Sequence, residues 1–179
     1  MLEYKGGESM YNQTYYQSPL GRLLLVSYED CLVGLWIEGQ KYYMGKIKER
    51  PVSKETVILR ETKKWLDEYF DGCNPSISRL KIAPEGTEFQ KRVWRILCDI
   101  PYGQTTTYKA IAQTIAKQMN KSSMSAQAVG SAVGHNPIPI IIPCHRVVGT
   151  NGSLTGYAGG LERKRMLLAL ENINLDSMK

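Results

Sequence analysis

The chain has 179 residues, of which 42% are hydrophobic, and this is enough for one sizeable globular core or two small ones packed together. Such a composition excludes a disordered tail. The net charge is +6, and the whole excess lies in the second half: residues 1–86 carry 12 basic and 12 acidic side chains, whereas residues 87–179 carry 11 basic and 5 acidic ones. A neutral half joined to a basic half favours a polyanionic partner, such as nucleic acid, for the basic half.

Cysteine spacing and hydropathy indicate the compartment. Cys31, Cys73, Cys98 and Cys144 are widely spaced with no Cys-x-x-Cys pair, which argues against a zinc knuckle or a disulfide framework and fits a reducing cytoplasm. The beginning of the chain lacks the basic-then-apolar pattern of a signal peptide, and no stretch approaches the length of a membrane span. We therefore expect a cytoplasmic protein without membrane association.

The first half has the pattern of a small antiparallel sheet covered by one helix. Three short runs of β-branched, aromatic or aliphatic residues lie between residues 11 and 37, separated by turn residues. Residues 55–70 then place apolar side chains at helical spacing, and Asp71-Gly72 ends the helix. Because this half has no histidine and its carboxylates alternate with lysines as on a solvated helix face, we interpret residues 1–72 as a scaffold domain.

A linker and a change of pattern follow. Residues 73–86 contain prolines, serines and a glycine, as is typical of a linker. Thr87 and Gln90 then fit a capping box, in which each side chain satisfies a free backbone N–H group of the other residue. Turn residues at 100–104 end that helix. We expect a second, mainly helical domain over residues 87–179.

Two further helices are predicted in this domain. Thr106 or Thr107 caps the first, whose apolar stripe includes Tyr108. After a polar break, residues 124–133 are rich in alanine and other small residues, which predicts a slim helix that can approach another backbone closely. This pattern matches a helix-turn-helix whose second helix enters a DNA groove. Two ordinary core helices would give the same periodicity, so that alternative stays open.

The sequence Ile-Pro-Cys-His-Arg-Val-Val at residues 142–148 carries the strongest chemical signal. We expect an extended apolar strand over residues 138–142 with Cys144 at its end. A thiol beside an imidazole and a guanidinium suits an activated nucleophile. On an extended strand, however, Cys144 and His145 would point to opposite faces. The alternative is a buried cysteine that acts only as a small hydrophobe.

Motifs of the second half occur in a specific order and spacing. They are Phe89-Gln-x-x-Val93-Trp94, Ile100-Pro-Tyr-Gly103, Tyr108, Ala128-Val-Gly130, Asn136-Pro137, Pro143-Cys-His-Arg-Val147 and Tyr157-x-Gly-Gly160. Together they resemble the O6-alkylguanine-DNA alkyltransferases over residues 87–171. The first half resembles the variable α/β domain of that family mainly by its position.

This resemblance implies an α+β fold, with a small α/β domain of antiparallel sheet plus helix and a mainly helical, winged helix-turn-helix-like domain. It implies that Cys144 accepts an alkyl group from O6 of guanine, with O4-alkylthymine as a further candidate substrate. Because a thioether has no easy route back to a thiol, the protein would work once. The implied partner is double-stranded DNA that carries O6-alkylguanine, and we expect a monomer that needs no cofactor.

The resemblance also implies roles for individual residues. His145 would withdraw the thiol proton through a bridging water, and Glu171 would orient His145. Tyr108 would contact the flipped nucleotide and help to protonate the leaving guanine. The residues implied to contact the DNA or the flipped base are Gln127, Ala128, Gly130, Asn136, Val147, Tyr157, Ala158 and Gly159.

Several of these contacts would use the main chain. The carbonyl groups of Cys144 and Val147 would receive the guanine amino group, and the amide of Ala158 would face O6. Asn136 would tie the turn after the slim helix to the active-site strand. Arg146 would support the fold through carboxylate or carbonyl contacts.

The chain departs from the family pattern at Gln127, where many members place an arginine that fills the hole left by the flipped base. Glutamine offers no cation and no guanidinium plane for stacking, so we expect weaker DNA affinity. His135 is either a phosphate contact or an exposed turn residue. Some members bind zinc in the N-terminal domain, but residues 1–86 offer only Cys31 and Cys73 as soft ligands, and we expect no metal.

Three other functions are weaker matches. A protein of the alkyltransferase-like class would flip alkylated guanine without repairing it, but those proteins lack the acceptor cysteine that is present here. A winged helix-turn-helix regulator would leave Cys144, His145 and Glu171 without a purpose. A cysteine hydrolase would need an oxyanion hole and an asparagine or aspartate that orients the histidine, and the sequence indicates neither.

Overall fold

The computed structural model describes residues 10–176 and residue 178, and its N-terminal part is a four-stranded sheet. Its strands are β1 (Tyr11–Ser18), β2 (Gly21–Tyr28), β3 (Cys31–Ile37) and β4 (Val52–Ser53). The order across the sheet is β3-β2-β1-β4. Strand β2 pairs antiparallel with both β1 and β3, and β4 pairs parallel with β1. Gly21, the first residue of β2 after the tight turn from β1, has a φ of 111°, which glycine adopts without strain.

One helix covers this sheet, as the sequence predicts. Helix α1 (Val57–Phe70) buries Leu59, Trp65, Leu66 and Tyr69. The predicted stop is also confirmed, because Asp71 is the C-cap and Gly72 follows with a φ of 84°.

The segment after α1 remains attached to the sheet. A single turn of 3-10 helix spans Ile77–Arg79. The chain then runs beside β3, where the amide of Leu32 donates to the carbonyl oxygen of Lys81 and the amide of Ala83 donates to that of Leu32, both at 2.8 Å. The expected linker is therefore partly an extra edge of the sheet.

The C-terminal part is mainly helical. It contains α2 (Glu88–Cys98), α3 (Tyr108–Gln118), α4 (Ala126–Gly134) and α5 (Leu161–Leu170), with the short strands β5 (Thr106–Thr107) and β6 (Val147–Val148) paired in parallel. The predicted capping box of Thr87 and Gln90 is present. Thr107 caps α3 and Ser125 caps α4, each by accepting from a backbone N–H group.

The predicted strand over residues 138–142 is wrong. This segment is a buried turn, in which the amide of Ile142 donates to the carbonyl oxygen of Ile138 at 2.9 Å and Ile140 has a φ of 76°. Prolines at 137, 139 and 143 explain the error, because a proline cannot donate to a strand ladder. The run is apolar because it lies in the core. Cys144 consequently begins a turn of 3-10 helix, Cys144–Arg146, instead of ending a strand.

A common core joins the two parts. The largest buried cluster includes Leu25 of the sheet, Leu66 of α1, Val93 of α2 and Leu167 of α5. The predicted α+β class, with an antiparallel sheet and helix followed by a helical part, is confirmed. None of the helices in the described residues is long and apolar enough to span a membrane.

Candidate active site

Cys144 is the buried first residue of the 3-10 turn, with 6% of its surface exposed. Burial raises the pKa of its thiol to about 11, although the side chain of Asn136 and the ammonium of Lys164 act in the opposite direction. The thiol is therefore largely protonated at neutral pH, and a nucleophilic role requires a base.

His145, the next residue, is buried and pairs with Glu171. Its Nε2 lies 2.6 Å from Oε1 of the Glu171 carboxylate. Because an ionised carboxylate only accepts hydrogen bonds, Nε2 carries the proton. Burial lowers the pKa of His145, and the carboxylate of Glu171 opposes that effect. Nδ1 is thus a lone-pair acceptor, and it has no hydrogen-bond partner within the part of the chain that the structure describes.

Glu171 directly follows α5 and collects donors from several elements. Oε1 accepts from Oη of Tyr69 at 2.7 Å, and Oε2 accepts from Nε of Arg146 at 2.9 Å and from the amide of Gly103 at 3.1 Å. Burial alone would raise the pKa of Glu171, but the hydrogen bonds from His145, Arg146 and Tyr69 outweigh it and lower the pKa to about 2. The carboxylate is therefore ionised throughout the neutral range.

Arg146 links this carboxylate to the end of α2. Its Nη1 donates to the carbonyl oxygen of Ile100 at 2.6 Å, and its Nη2 donates to Oε1 of Glu171 at 3.1 Å. These are the carboxylate and carbonyl contacts that the sequence predicts for Arg146.

Lys164 is a buried site residue that the sequence analysis missed. Its Nζ donates to the carbonyl oxygens of Val147, at 2.6 Å, and Thr155, at 2.9 Å. Burial lowers its pKa to about 8. In the sequence, Lys164 stands between two arginines in an ordinary charged helix turn, so no local pattern marks it as buried.

Asn136 fixes the turn before Cys144. Its Nδ2 donates to the carbonyl oxygen of Ile142 at 2.7 Å, and its Oδ1 accepts from the amide of Ile138 at 3.0 Å. Both hydrogen bonds close the buried turn that replaces the predicted strand. Asn136 thereby sets the position at which the chain enters Pro143 and Cys144.

Tyr108 begins α3 and lies across α4. Its hydroxyl donates to the carbonyl oxygen of Thr155 at 2.9 Å, and its ring passes 3.7 Å from the position a Cβ would take at Gly130. The small residue predicted at position 130 therefore allows the tyrosine to approach the helix. Burial raises the pKa of Tyr108 to about 12, so the hydroxyl keeps its proton.

The loop before α5 encloses the thiol. The ring of Tyr157 lies against Gly159, where a Cβ would be 2.7 Å from the ring, and Oη of Tyr157 is buried without a hydrogen-bond partner among the described residues. The carbonyl oxygen of Ala158 accepts from the amide of Lys41 at 3.1 Å. A loop of the N-terminal half thus holds one wall of the site.

Two concavities meet beside Cys144. A cavity of about 10 Å³ contains the thiol and is lined by Asn136, Tyr157, Ala158 and Gly159, among others. A groove of about 650 Å³ adjoins it, and the residues that line it include Tyr108, Lys109, Gln127, Gly130, Ser131 and Gly156. Gly134 and Gly156 line both concavities.

Helix α4 presents its beginning to this groove. Gln127 is exposed on the groove, and half-buried Ala128 donates its amide to the Ser125 cap at 3.2 Å. At the other end of the helix, the His135 ring stacks on Tyr42 with centroids 4.0 Å apart, and Nδ1 of His135 lies 2.7 Å from the carbonyl oxygen of Ser131. His135 is therefore half-buried at the groove instead of standing free in a turn.

The other cysteines and carboxylates form no second site of this kind. Within residues 10–176 and at residue 178, no group of three or more His, Cys, Asp or Glu side chains could hold a metal ion. Burial and the nearby carboxylate of Asp99 raise the pKa of the Cys98 thiol to about 11, and the guanidinium of Arg146 opposes them only in part. Cys98 is accordingly a packing residue at the end of α2.

Comparison with known families divides the chain in two. Residues 11–84 match the 6-O-methylguanine DNA methyltransferase, ribonuclease-like domain, and residues 88–173 match the 6-O-methylguanine DNA methyltransferase, DNA binding domain. These matches cover both the sheet with its helix and the helical part that holds Cys144.

Individual relatives agree with both family matches. The chain is 47% identical to a methylated-DNA–protein-cysteine methyltransferase of Methanosarcina barkeri, over 89% of this chain and 96% of that protein. It is 39% identical to the protein of the same name from Haemophilus influenzae, over 89% and 86% of the two chains. The fold is similar to that of Mycobacterium tuberculosis OGT in complex with DNA, with a TM-score of 0.76 and 38% identity over 90% of this chain and 91% of that one. By sequence and by fold, the chain belongs to the 6-O-methylguanine DNA methyltransferase family.

Proposed function

We propose that this protein repairs DNA by direct reversal: Sγ of Cys144 takes the alkyl group from O6 of an alkylated guanine, once per molecule. The observation that carries the proposal is the state of His145. Its Nε2 donates to Oε1 of Glu171 at 2.6 Å, so the unprotonated Nδ1 is available as a base. The buried thiol belongs to Cys144, the preceding residue in the chain. The family membership and the relatives' names support the same chemistry.

The first step is activation of the thiol. With its pKa raised to about 11 by burial, Cys144 must lose a proton before it can attack. Nδ1 of His145 receives that proton through a bridging water, and the Glu171 carboxylate stabilises the imidazolium that forms. The ammonium of Lys164 also stabilises the thiolate electrostatically.

The second step is a displacement at the alkyl carbon. The bond from Sγ to carbon forms as the bond from carbon to O6 breaks, and the electron pair of the broken bond stays on guanine. The guanine anion takes up one proton with the help of the Tyr108 hydroxyl, and His145 gives up the proton that it took from Cys144, so the net change moves one proton and leaves a normal base in the DNA. The product thioether has no S–H proton to lose and no leaving group comparable to guanine, so each protein molecule turns over once.

Base presentation requires both α4 and the loop before α5. A base inside a duplex must leave the stack to reach a protein thiol. The cavity of about 10 Å³ at Cys144 holds no more than about one water, so the loop of residues 155–160 has to move outward to admit a purine. Positive φ angles at Gly156 and Gly160 provide hinge positions at the two ends of this loop.

The opened pocket would recognise guanine mainly through the main chain. The carbonyl groups of Cys144 and Val147 accept from the guanine amino group, and the amide of Ala158 donates to O6. Gln127 and Gly130 of α4 line the groove that would face the duplex, and Ala128 lies between them on the same helix. We propose that one monomer acts on one lesion.

A single-turnover assay tests this function. Duplex DNA with a radiolabelled O6-methylguanine is mixed in molar excess with the protein, and label transferred to protein is counted. We expect one methyl group per chain at saturation and no further transfer after more DNA is added. A second duplex with O4-methylthymine measures the substrate range.

Two serine variants control the assay. Cys144→Ser should bind the duplex without transfer, whereas Cys98→Ser should transfer like the parent protein. Tight binding of the lesion by the parent without any transfer would instead identify a protein that only flips alkylated guanine.

A further inference from the structure

Tyr69 belongs to the N-terminal half, and yet its hydroxyl contacts both members of the His145–Glu171 pair. It occupies the last turn of α1 with 1% of its surface exposed, and its hydroxyl donates to Oε1 of Glu171 at 2.7 Å. We propose that Tyr69 is a positioning residue for alkyl transfer, which holds the Glu171 carboxylate and so keeps His145 oriented and neutral. This inference rests on the function proposed above for Cys144.

The carboxylate of Glu171 has no spare capacity for hydrogen bonds. Oε1 accepts from Tyr69, His145 and Nη2 of Arg146, while Oε2 accepts from Nε of Arg146 and from the amide of Gly103. A carboxylate offers roughly four lone-pair sites, so these donors fix its plane completely. Tyr69 is the member of this set that comes from the N-terminal half.

Tyr69 and His145 share one oxygen atom. Oη of Tyr69 lies 3.4 Å from Nε2 of His145, and both groups donate to Oε1 of Glu171. Burial raises the pKa of Tyr69 far above its usual range, so the hydroxyl remains a donor. A second donor on Oε1 reduces the negative charge that faces the imidazole. The hydroxyl therefore disfavours the imidazolium form in the resting protein and keeps the base available.

Packing fixes the direction of the hydroxyl. The ring of Tyr69 stacks on Trp65 with centroids 5.5 Å apart, and it meets Phe70 and Tyr102 edge-on at 5.4 and 6.2 Å. Trp65 is held in turn by a hydrogen bond from its Nε1 to the carbonyl oxygen of Ser76 at 3.0 Å. Such contacts restrict the ring to one orientation.

Other titratable groups also surround this pair. Arg146 and Lys164 lower the pKa of His145, and Glu171 raises it. The remaining groups that face Tyr69, Glu171 or the turn of His145 are Tyr102, Tyr157 and Cys144. A change of Tyr69 to phenylalanine removes one oxygen atom and replaces none of these side chains, so it tests the hydroxyl alone.

The test is the pH dependence of Tyr69→Phe. Without the hydroxyl, Oε1 of Glu171 carries more charge toward Nε2, the imidazolium is favoured, and the pKa of His145 rises. We expect the acidic limb of the transfer rate to move to higher pH by about one pH unit, which lowers the rate about tenfold on that limb and leaves the alkaline plateau nearly unchanged.

Tyr16→Phe is the matched control. Oη of Tyr16 also donates to a carboxylate at 2.7 Å, that of exposed Asp67 on α1, but neither residue lines the cavity at Cys144. The control should lose a similar amount of hydrogen bonding and keep the pH profile of the parent protein. A purely structural role for Tyr69 would lower the melting temperature of Tyr69→Phe without moving its pH profile.

A spectroscopic measurement separates this inference from the proposed function. The chain has two histidines, so 15N-histidine labelling gives two ring spectra, and His135→Gln assigns them. We expect the proton of neutral His145 on Nε2 in the parent and a higher pKa in Tyr69→Phe. A proton on Nδ1 in the parent protein overturns the arrangement, whether or not the variant folds.

The possible failures are distinguishable. A parent protein that transfers methyl groups normally, while Tyr69→Phe keeps the same pH profile and the same His145 titration, overturns this inference alone. A parent protein that transfers nothing to Cys144 overturns the proposed function, and the role of Tyr69 in that reaction falls with it.

Discussion

Nζ of Lys164 lies 2.6 Å from the main-chain carbonyl oxygen of Val147, with both groups buried. A second hydrogen bond, to the carbonyl oxygen of Thr155, joins the same ammonium to the loop that covers the thiol. Helix α5 therefore supplies two charges to the site, the cation of Lys164 near Cys144 and the anion of Glu171 behind His145. The thiolate and the imidazolium that form during activation each have an opposite charge nearby.

Lys164→Met should slow alkyl transfer strongly while the protein remains folded. The variant keeps most of the side-chain volume but leaves the buried carbonyl oxygen of Val147 and the partly buried one of Thr155 without their donor, which costs up to about 1–3 kcal/mol of folding free energy for each. Loss of the cation disfavours the Cys144 thiolate, so we expect the single-turnover rate to fall about 10- to 100-fold. Lys64→Met, at an exposed position on α1, is the control. Equal rates in Lys164→Met and the parent would contradict a role for this charge.

Asn136→Asp should damage the turn that carries Cys144. The change preserves shape and the acceptor for Ile138 but removes the donor to Ile142 and places a carboxylate near the thiol. We expect a loss of about 2–3 kcal/mol in urea unfolding and a fall in transfer rate of at least about tenfold. Asn151→Asp, in an exposed loop where only the acceptor is used, should change neither quantity. A stable Asn136→Asp protein with the parent's rate would be inconsistent with this geometry.

Gln127→Arg should strengthen DNA binding without changing the chemistry at Cys144. Gln127 is exposed on the groove at the start of α4, so an arginine there adds a cation and a stacking plane toward the duplex. We expect the Kd for a lesion duplex to fall about 3- to 10-fold at low salt, with a steeper salt dependence. The rate with free O6-benzylguanine, which needs no flipping, should stay the same.

Gln17→Arg controls for net charge in that experiment, because Gln17 is exposed on β1 outside the groove. An equal gain in DNA affinity from both variants would mean that charge alone, and not the position on α4, determines binding.

Glu171 should make the free energy of unfolding depend on pH between about 4.5 and 2. Its pKa is lowered from 4.5 to about 2 in the folded protein, so its stabilising effect is fully present above pH 4.5 and is lost as the pH falls toward 2. The difference between these two pKa values corresponds to on the order of 3 kcal/mol. The gap in urea unfolding free energy between the parent and Glu171→Gln should therefore shrink below pH 4.5.

Glu162→Gln is the control for acid stability, since Glu162 is exposed in the first turn of α5. Its difference from the parent should remain small from pH 7 to pH 2. If the gap between the parent and Glu171→Gln stayed constant over that range, Glu171 would not be held as an ion by its neighbours.

Local signals made much of the fold predictable. The capping box of Thr87 and Gln90 depends on residues three apart, and the stop at Asp71-Gly72 depends on a single left-handed glycine. Short runs of β-branched, aromatic or aliphatic residues between turn residues likewise predicted the three long strands of the sheet. In these cases the physical cause lies within one turn or one hairpin, and it can be recognised in a short stretch of sequence.

Long-range contacts limited the prediction of the site. The apolar run at 138–142 looked like a strand, but its prolines and the hydrogen bonds of Asn136 make it a buried turn. Tyr69 and Glu171 are 102 residues apart in the chain, and no periodicity in either segment indicates that they meet. Lys164 likewise looks solvated until α5 is packed against β6. The order of the motifs predicted Cys144, His145 and Glu171 as site residues. Their buried neighbours, Tyr69 and Lys164, were identified only from the folded structure.

Intact and tandem mass spectrometry of the protein after reaction with duplex DNA containing O6-methylguanine shows most directly whether Cys144 is the alkyl acceptor. We expect a mass gain of one methyl group per chain, located on Cys144 and absent from Cys31, Cys73 and Cys98, with unmodified guanine left in the DNA. A protein that binds the duplex but gains no methyl group, or that gains it on another cysteine, would contradict the assignment of Cys144 as the alkyl acceptor.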